Sequence, residues 1–346
     1  MSTKYDVINP ATEKVVTQIH EASVEETDAI IAKAAEAFKS WRNVTPYDRS
    51  NLLRAFSNKV REHREELAQL EITNSGHTRG NALWEADNVA NVLNYYAGVP
   101  ERLYGRQIPV AGGVDITFKE PIGVVGIIVP WNFPMPIAGW GFAAALATGN
   151  TVVLKPSDTT PASTVWMAEL MAEYLPNGVF NVICGDRDTG KNLVEHATPS
   201  MVSITGSVRA GIEVAKSAAS DVKRVHLELG GKAPVVVFAD ANLEAAAEAI
   251  AIAGYFNAGQ DCTAATRIYA HKNVVKDLEN LMKLRLEAIK VGDPMDKSTD
   301  IGPLISEKHR DLVHQKVQKA QIDGASLITG GKIIPGKGFY YQPTLL

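Results

Sequence analysis

Cysteine is nearly missing from these 346 residues: there are two, Cys184 and Cys262. Two thiols in so long a chain make no disulfide framework, which points to a reducing compartment. Basic charge is not in excess either. The formal net charge is −4 and no basic tract offsets it, which argues against a nucleic-acid binder. An unbroken apolar run is also lacking. The most apolar stretch, IGVVGIIVPWNFPMPIAGWGFAAALATGNTVVL, is interrupted by three prolines and several glycines, so it supplies no single membrane-spanning helix. The opening MSTKYDVINP has neither a charged n-region nor an apolar h-region, so no export signal is visible. Internal repeats and low-complexity segments are absent too. These absences lead to the expectation of a cytoplasmic protein with no membrane and no nucleic-acid partner.

What is present is enough apolar residue (45%) for a large core or two domains. NPATEKVVTQIHEA reads as a short strand pair turning at Asn9-Pro10. Ser23 and Glu26 form a capping box ahead of a helix whose Ile30, Ile31, Ala34, Ala37, Phe38 and Trp41 share a face. Pro46 opens a second helix with a stripe through Leu52, Leu53, Phe56, Val60 and Leu67, and LWEADNVANVLNYYAGV reads as a third. Residues 101–120 alternate around a Gly-Gly turn and predict a hairpin. From Val124 onward apolar strands alternate with helices, the pattern of a parallel sheet covered on both faces. A second alternation begins near Leu229. The expected architecture is α/β: a Rossmann-type domain over 1–228 and a second α/β domain over 229–346.

Three loops fall where strands of such a sheet hand over to helices, the usual ligand edge. PWNFPMP holds Trp131 and Asn132 between fixed prolines, as a rigid turn or as an amide donor site. LKPSD presents Lys155, Ser157 and Asp158, which suit ribose hydroxyls or, equally, a solvated turn. ITGSVRAG places Gly206, Ser207 and Gly211 between strand and helix, where free N–H groups meet an anion, although the spacing is not GxGxxG. The eight histidines show no ligand spacing, and no metal is expected. His226 shares a face with Glu228 in an extended segment and reads as a hydrogen-bonding neighbour.

The last pair is Glu228 in VHLELGGKAP and Cys262 in NAGQDCTAAT. A carboxylate in an apolar segment is expected to be partly desolvated, which moves it toward the range of a general base; the bland reading pairs it with Lys223, Arg224 or Lys232. Cys262 sits among polar loop residues, unlike Cys184 at the end of the strand VFNVIC. A thiol is a strong nucleophile once ionised, yet no histidine partner lies near it in sequence.

Together, PWNFP, LKPSD, ITGSVRAG, LELGGKAP and GQDCTAA, in that order across essentially the whole chain, resemble the aldehyde dehydrogenase superfamily. NAGQDCTAATRIYA and VKRVHLELGGKAPVVVFADA look most like the aminoaldehyde, especially 4-aminobutyraldehyde, members. The resemblance implies Cys262 as nucleophile, Asn132 and the Cys262 N–H as oxyanion donors, and Glu228 as the base that activates water. It implies NAD as cofactor, with NADP left open because Asp158 stands where many relatives carry Glu. Trp131, Lys155, Ser157, Asp158, Gly206, Ser207, Gly211, Leu229 and Gly230 would line that site. It also implies an oligomerisation hairpin over 101–120 and a homodimer or homotetramer at full length. Asp261 is a candidate for attracting a substrate ammonium, or else an acid turned into its own backbone. Members of the superfamily continue beyond GFYYQPTLL, so the resemblance implies a C-terminally truncated chain. Alternatives are a betaine-type or broad-specificity aldehyde dehydrogenase, a truncated inactive fragment, a cofactor-free cysteine acyltransferase, and a non-catalytic assembly module.

Overall fold

The computed structural model describes residues 4–346. They divide into two compact units: residues 4–5, Gln18–Leu67 and Leu83–Glu228 form the first, and Asp6–Thr17, Ala68–Ala82 and Leu229–Leu346 the second.

Strands β1 (Lys4–Ile8) and β2 (Val15–His20) pair as a ribbon. Helix α1 (Val24–Trp41) starts at the capping box, with Glu26 N–H donating to Ser23 Oγ and Ser23 N–H to the Glu26 carboxylate. Helix α2 (Pro46–Glu62) begins at Pro46 behind a Thr45 cap. The second helix read from the sequence through Leu67 is in fact two: His63 ends α2 at non-helical φ −96° and ψ 17°, and α3 (Arg64–Ser75) follows. Helix α4 (Arg79–Ala97) leads to the hairpin β3 (Gln107–Val110) and β4 (Gly113–Ile116), paired antiparallel, with every strand residue exposed.

The core of the first unit is a five-stranded sheet. Its strands are β5 (Val124–Ile128), β6 (Thr151–Lys155), β7 (Phe180–Val182), β8 (Met201–Gly206) and β9 (Arg224–Leu229), in the order β7-β6-β5-β8-β9. Between them come α5 (Pro134–Ala147), α6 (Ala162–Met171), α7 (Arg187–Glu195) and α8 (Val208–Ala219). β5 pairs parallel with both β6 and β8. Alternate residues of a strand face opposite sides, and β5 uses both. Val124 packs with Ile31 and Ala34 of α1 and Leu193 of α7. Gly126 faces Leu193 as well, and Ile127 meets Gly141 of α5 on the other side. Both contacts use glycine to bring a helix close: an added Cβ would stand 3.3 Å from Leu193 and 3.1 Å from Ile127.

The second unit holds β10 (Ala233–Val237), α9 (Leu243–Tyr255), β11 (Ala265–Ala270), α10 (Val275–Ala288) and α11 (Glu307–Ile322). β10 and β11 run parallel, and Val237, Ala247, Ile250, Leu278, Met282 and Leu286 form their core with the two flanking helices. Two stretches that the sequence placed in the first domain belong here. The reason is hydrogen bonding: Phe339 N–H donates to Pro10 O at 3.0 Å, Gly338 N–H to the Glu13 carboxylate at 2.7 Å, and Arg79 N–H to Pro294 O at 3.0 Å. No helix among the described residues is long and apolar enough to cross a membrane.

Candidate active site

In the first unit the sheet order reverses at β5, and ligands of open α/β sheets bind at the carboxyl ends of the strands around such a switch point. The candidate residues gather at this edge because each follows, or ends, a strand. Trp131 and Asn132 lie half-buried in the loop after β5. Lys155 ends β6, and its buried ammonium donates to Pro156 O at 3.0 Å. Burial pulls that ammonium's pKa down, while Coulombic interaction with Asp158, Cys184, Asp186 and Glu21 opposes the shift. Ser157 Oγ donates to the exposed Asp158 carboxylate at 3.2 Å and accepts from Thr159 N–H. Gly206 ends β8, and Ser207 caps α8 by accepting from Ala210 N–H at 3.2 Å. Gly211 is buried inside α8, its N–H donating to Ser207 O.

Glu228 lies near the carboxyl end of β9. Its side chain is 63% exposed, not desolvated as the apolar sequence around it predicts. The reason is position: β9 ends the strand order, and Arg224, His226 and Glu228 all point to an open side. The basic neighbour of Glu228 is His226, whose Nε2 stands 3.8 Å from its carboxylate. Lys223 is turned away toward Asp221 and Val194 O.

In the second unit, Leu229, Gly230 and Gly231 lead into β10, and Cys262 precedes β11. Because the two strands are parallel, with Ala233 opposite Ala265, both segments meet at one edge of the pair. Cys262 is exposed. Its loop is held by Gln260, a residue that carried no role in the sequence reading. The buried Gln260 amide donates to Asn257 O and Pro303 O and accepts from Ile305 N–H at 2.9 Å. Asn257, Ala258 and Gly259 all take positive φ, at 51°, 55° and 76°. Such a conformation is costly for alanine and persists only where surrounding structure imposes it. Asp261 is turned into its own loop, one carboxylate oxygen accepting from both Thr263 N–H and Thr263 Oγ at 2.8 Å. That oxygen braces the turn around Cys262.

Cys184 is the contrasting thiol. It is partly buried behind β7, and burial pushes its pKa up to about 11, with Lys155 and Tyr5 pulling the other way. A cavity of about 490 Å³ in the second unit touches the loop before Cys262 through Ala258, Gly259 and Gln260; Cys262 is not among its lining residues.

The whole length, residues 1–346, matches the family model described as "Aldehyde dehydrogenase family". The chain belongs to the aldehyde dehydrogenase family. It is an NAD(P)-dependent oxidoreductase. Among curated relatives, betaine aldehyde dehydrogenase of Agrobacterium fabrum is 39% identical over 99% of this chain and 71% of its own length. Betaine aldehyde dehydrogenase of Rhizobium etli is 38% identical over 99% and 72%. Among solved structures, betaine aldehyde dehydrogenase from Staphylococcus aureus in complex with NAD+ superposes with a TM-score of 0.96 at 36% identity, covering 99% of this chain and 70% of that one. PnpE in complex with nicotinamide adenine dinucleotide gives 0.97 at 37%, covering 99% and 72%. The aldehyde dehydrogenase fold, with its parallel sheet, is thus the fold of this chain.

This aldehyde dehydrogenase's own residues fit a dinucleotide. An added Cβ at Gly206 would meet nothing closer than 3.7 Å, and one at Gly230 nothing within 4 Å; neither glycine has positive φ. The fold itself does not demand glycine there, so bare backbone is left for close approach of a ligand.

Proposed function

We propose that this enzyme oxidises a small ammonium-bearing aldehyde to its carboxylic acid with NAD, using Cys262 as nucleophile. The observation that carries this reading is the exposed Cys262 thiol on a loop braced by Gln260; the first unit, by itself, presents Lys155, Asp158, Gly206 and Ser207 at the carboxyl ends of its strands. NAD is the cofactor of similar solved structures. Lys155 and Asp158 would hold a ribose, and the Gly206–Ser207 turn would lie against the pyrophosphate. When bound, NAD supplies the hydride acceptor.

The chain's own residues account for the rest. The Cys262 thiolate attacks the aldehyde carbon, and the C=O electron pair moves to oxygen. The Asn132 amide and the Cys262 N–H stabilise that oxyanion. Loss of hydride from the carbon leaves a thioester on Cys262. Glu228 then takes a proton from water as its oxygen adds to the thioester carbonyl. The tetrahedral adduct collapses, the C–S bond breaks, and the acid leaves with Cys262 again a thiolate. No histidine is needed beside the nucleophile, which accounts for its isolation in the sequence.

For the substrate, the curated relatives favour a quaternary ammonium aldehyde of the betaine type over 4-aminobutyraldehyde. Aldehyde-dependent NADH formation by the full chain tests both levels. Turnover that survives Cys262→Ala overturns the mechanism. A kcat/KM for betaine aldehyde at least about tenfold above 4-aminobutyraldehyde and an uncharged aldehyde of equal length is expected, a difference of about 1.4 kcal/mol. Equal values overturn the betaine reading.

The hairpin at 101–120 serves assembly in this reading. Ile108 and Val110 leave one face of the ribbon and Val114 and Ile116 the other, all 38–57% exposed, so both faces present apolar side chains of the kind found at interfaces. Sedimentation of the full chain as a dimer or tetramer, lost on Val114→Asp, is the expected result.

A further inference from the structure

His226 and Glu228 stand two apart on β9, so both side chains leave one face of the strand. Opposite them on β8, Ser203 Oγ lies 3.0 Å from Nδ1 of His226. The other ring nitrogen, Nε2, is 3.8 Å from Oε1 of Glu228. One imidazole therefore bridges a hydroxyl and the carboxylate assigned to water activation.

The bond made by one ring nitrogen decides what the other presents. If the Ser203 hydroxyl donates to Nδ1, the neutral ring carries its hydrogen on Nε2 and turns an N–H dipole toward the carboxylate. The reverse arrangement would point a lone pair at a negative charge. Electrostatics thus selects the first tautomer, and Ser203 is the residue able to supply the matching donor. At 3.8 Å the contact is electrostatic, longer than a hydrogen bond. A small rotation of either side chain closes it.

Glu228 needs such a partner. Its side chain is 63% exposed and has three rotatable angles, so alone it would sample many rotamers. A base must be within hydrogen-bond reach of the water it deprotonates.

We propose that His226 is a positioning residue for Glu228, held in the productive tautomer by Ser203. The inference rests on the reading of Glu228 as the base for thioester hydrolysis. It concerns that half of the reaction alone; attack by Cys262 and loss of hydride proceed without it.

Rapid mixing of the full chain with NAD and aldehyde separates the halves: a burst of NADH reports acylation, and the linear phase reports hydrolysis. His226→Ala is expected to keep or acquire the burst while the linear rate falls about tenfold, within the range that misplacing a catalytic group costs. His226→Gln, which still offers an N–H, should recover most of that loss, and Ser203→Ala should lie between wild type and His226→Ala. KM for NAD should not move. An unchanged linear rate in His226→Ala, a burst lost along with it, or a Gln variant no better than Ala overturns the proposal. Glu228→Gln tells the two readings apart. If it leaves the linear phase intact, the base reading fails and the proposal with it. If it stops the linear phase while His226→Ala does not slow it, only the positioning role fails.

Discussion

The backbone N–H of Ile305 donates to the side-chain oxygen of Gln260 at 2.9 Å, two residues before Cys262. The same amide donates back to Asn257 O and Pro303 O. A buried amide so engaged clamps the loop that carries Cys262. Gln260→Leu removes the side-chain partner of Ile305 N–H and of Pro303 O, while Asn257 O keeps the backbone N–H of residue 260, and each unsatisfied buried group costs about 1–3 kcal/mol. The expected outcome is a lowered thermal midpoint together with reduced kcat. Gln260→Glu, which keeps the acceptor for Ile305 and loses the donors, should fall between. A Leu variant with wild-type stability and rate would contradict the clamp.

Ala258 holds φ 55° in this loop, where an L-residue with a Cβ is strained. Glycine removes the strain but adds freedom to the unfolded chain. Ala258→Gly is expected to change stability by no more than about 1 kcal/mol, with stabilisation the expected sign. Calorimetry of the two proteins reads it directly.

The two thiols should behave differently. Burial raises Cys184 to a pKa of about 11, so at pH 8 only about one molecule in a thousand carries its thiolate. Cys262 is exposed. Iodoacetamide at pH 8 should modify one thiol per chain, at Cys262, with activity lost in proportion. Peptide mapping that finds Cys184 alkylated first would refute this.

The same shift has a consequence for stability. A thiol raised from about 9 to about 11 stays protonated in the folded chain while the unfolded chain ionises. Its contribution is therefore full below about pH 9 and is lost as pH rises through about 11. Between pH 8 and 11, Cys184→Ser should lose less stability to urea than wild type does. Parallel losses would show that Cys184 is not the titrating group.

Asp158 is exposed and accepts from the hydroxyls of Ser157 and Thr159. In the ribose-binding role its charge repels a 2′-phosphate. Asp158→Ser is expected to lower kcat/KM for NAD about tenfold, about 1.4 kcal/mol, and to raise that for NADP. An unchanged ratio of the two would remove Asp158 from cofactor choice.

The sequence by itself determined the family and the order of elements. Ser23 with Glu26, Pro46, and the alternation from Val124 onward are local patterns, so adjacent letters suffice to read them. It also named Cys262 and Glu228, because a thiol among polar loop residues and an acid before paired glycines are visible one-dimensionally. Only the tertiary structure decided what those residues touch. That β9 ends the strand order, and so exposes Glu228, depends on strand order, which no run of letters carries. That Gln260 grips residues 303–305 and Ser203 meets His226 are pairings 43 and 23 positions apart or thereabouts, made only once the chain has folded back. Asp261 illustrates the same limit at short range: the bonds of its carboxylate to Thr263 are made only in the folded loop.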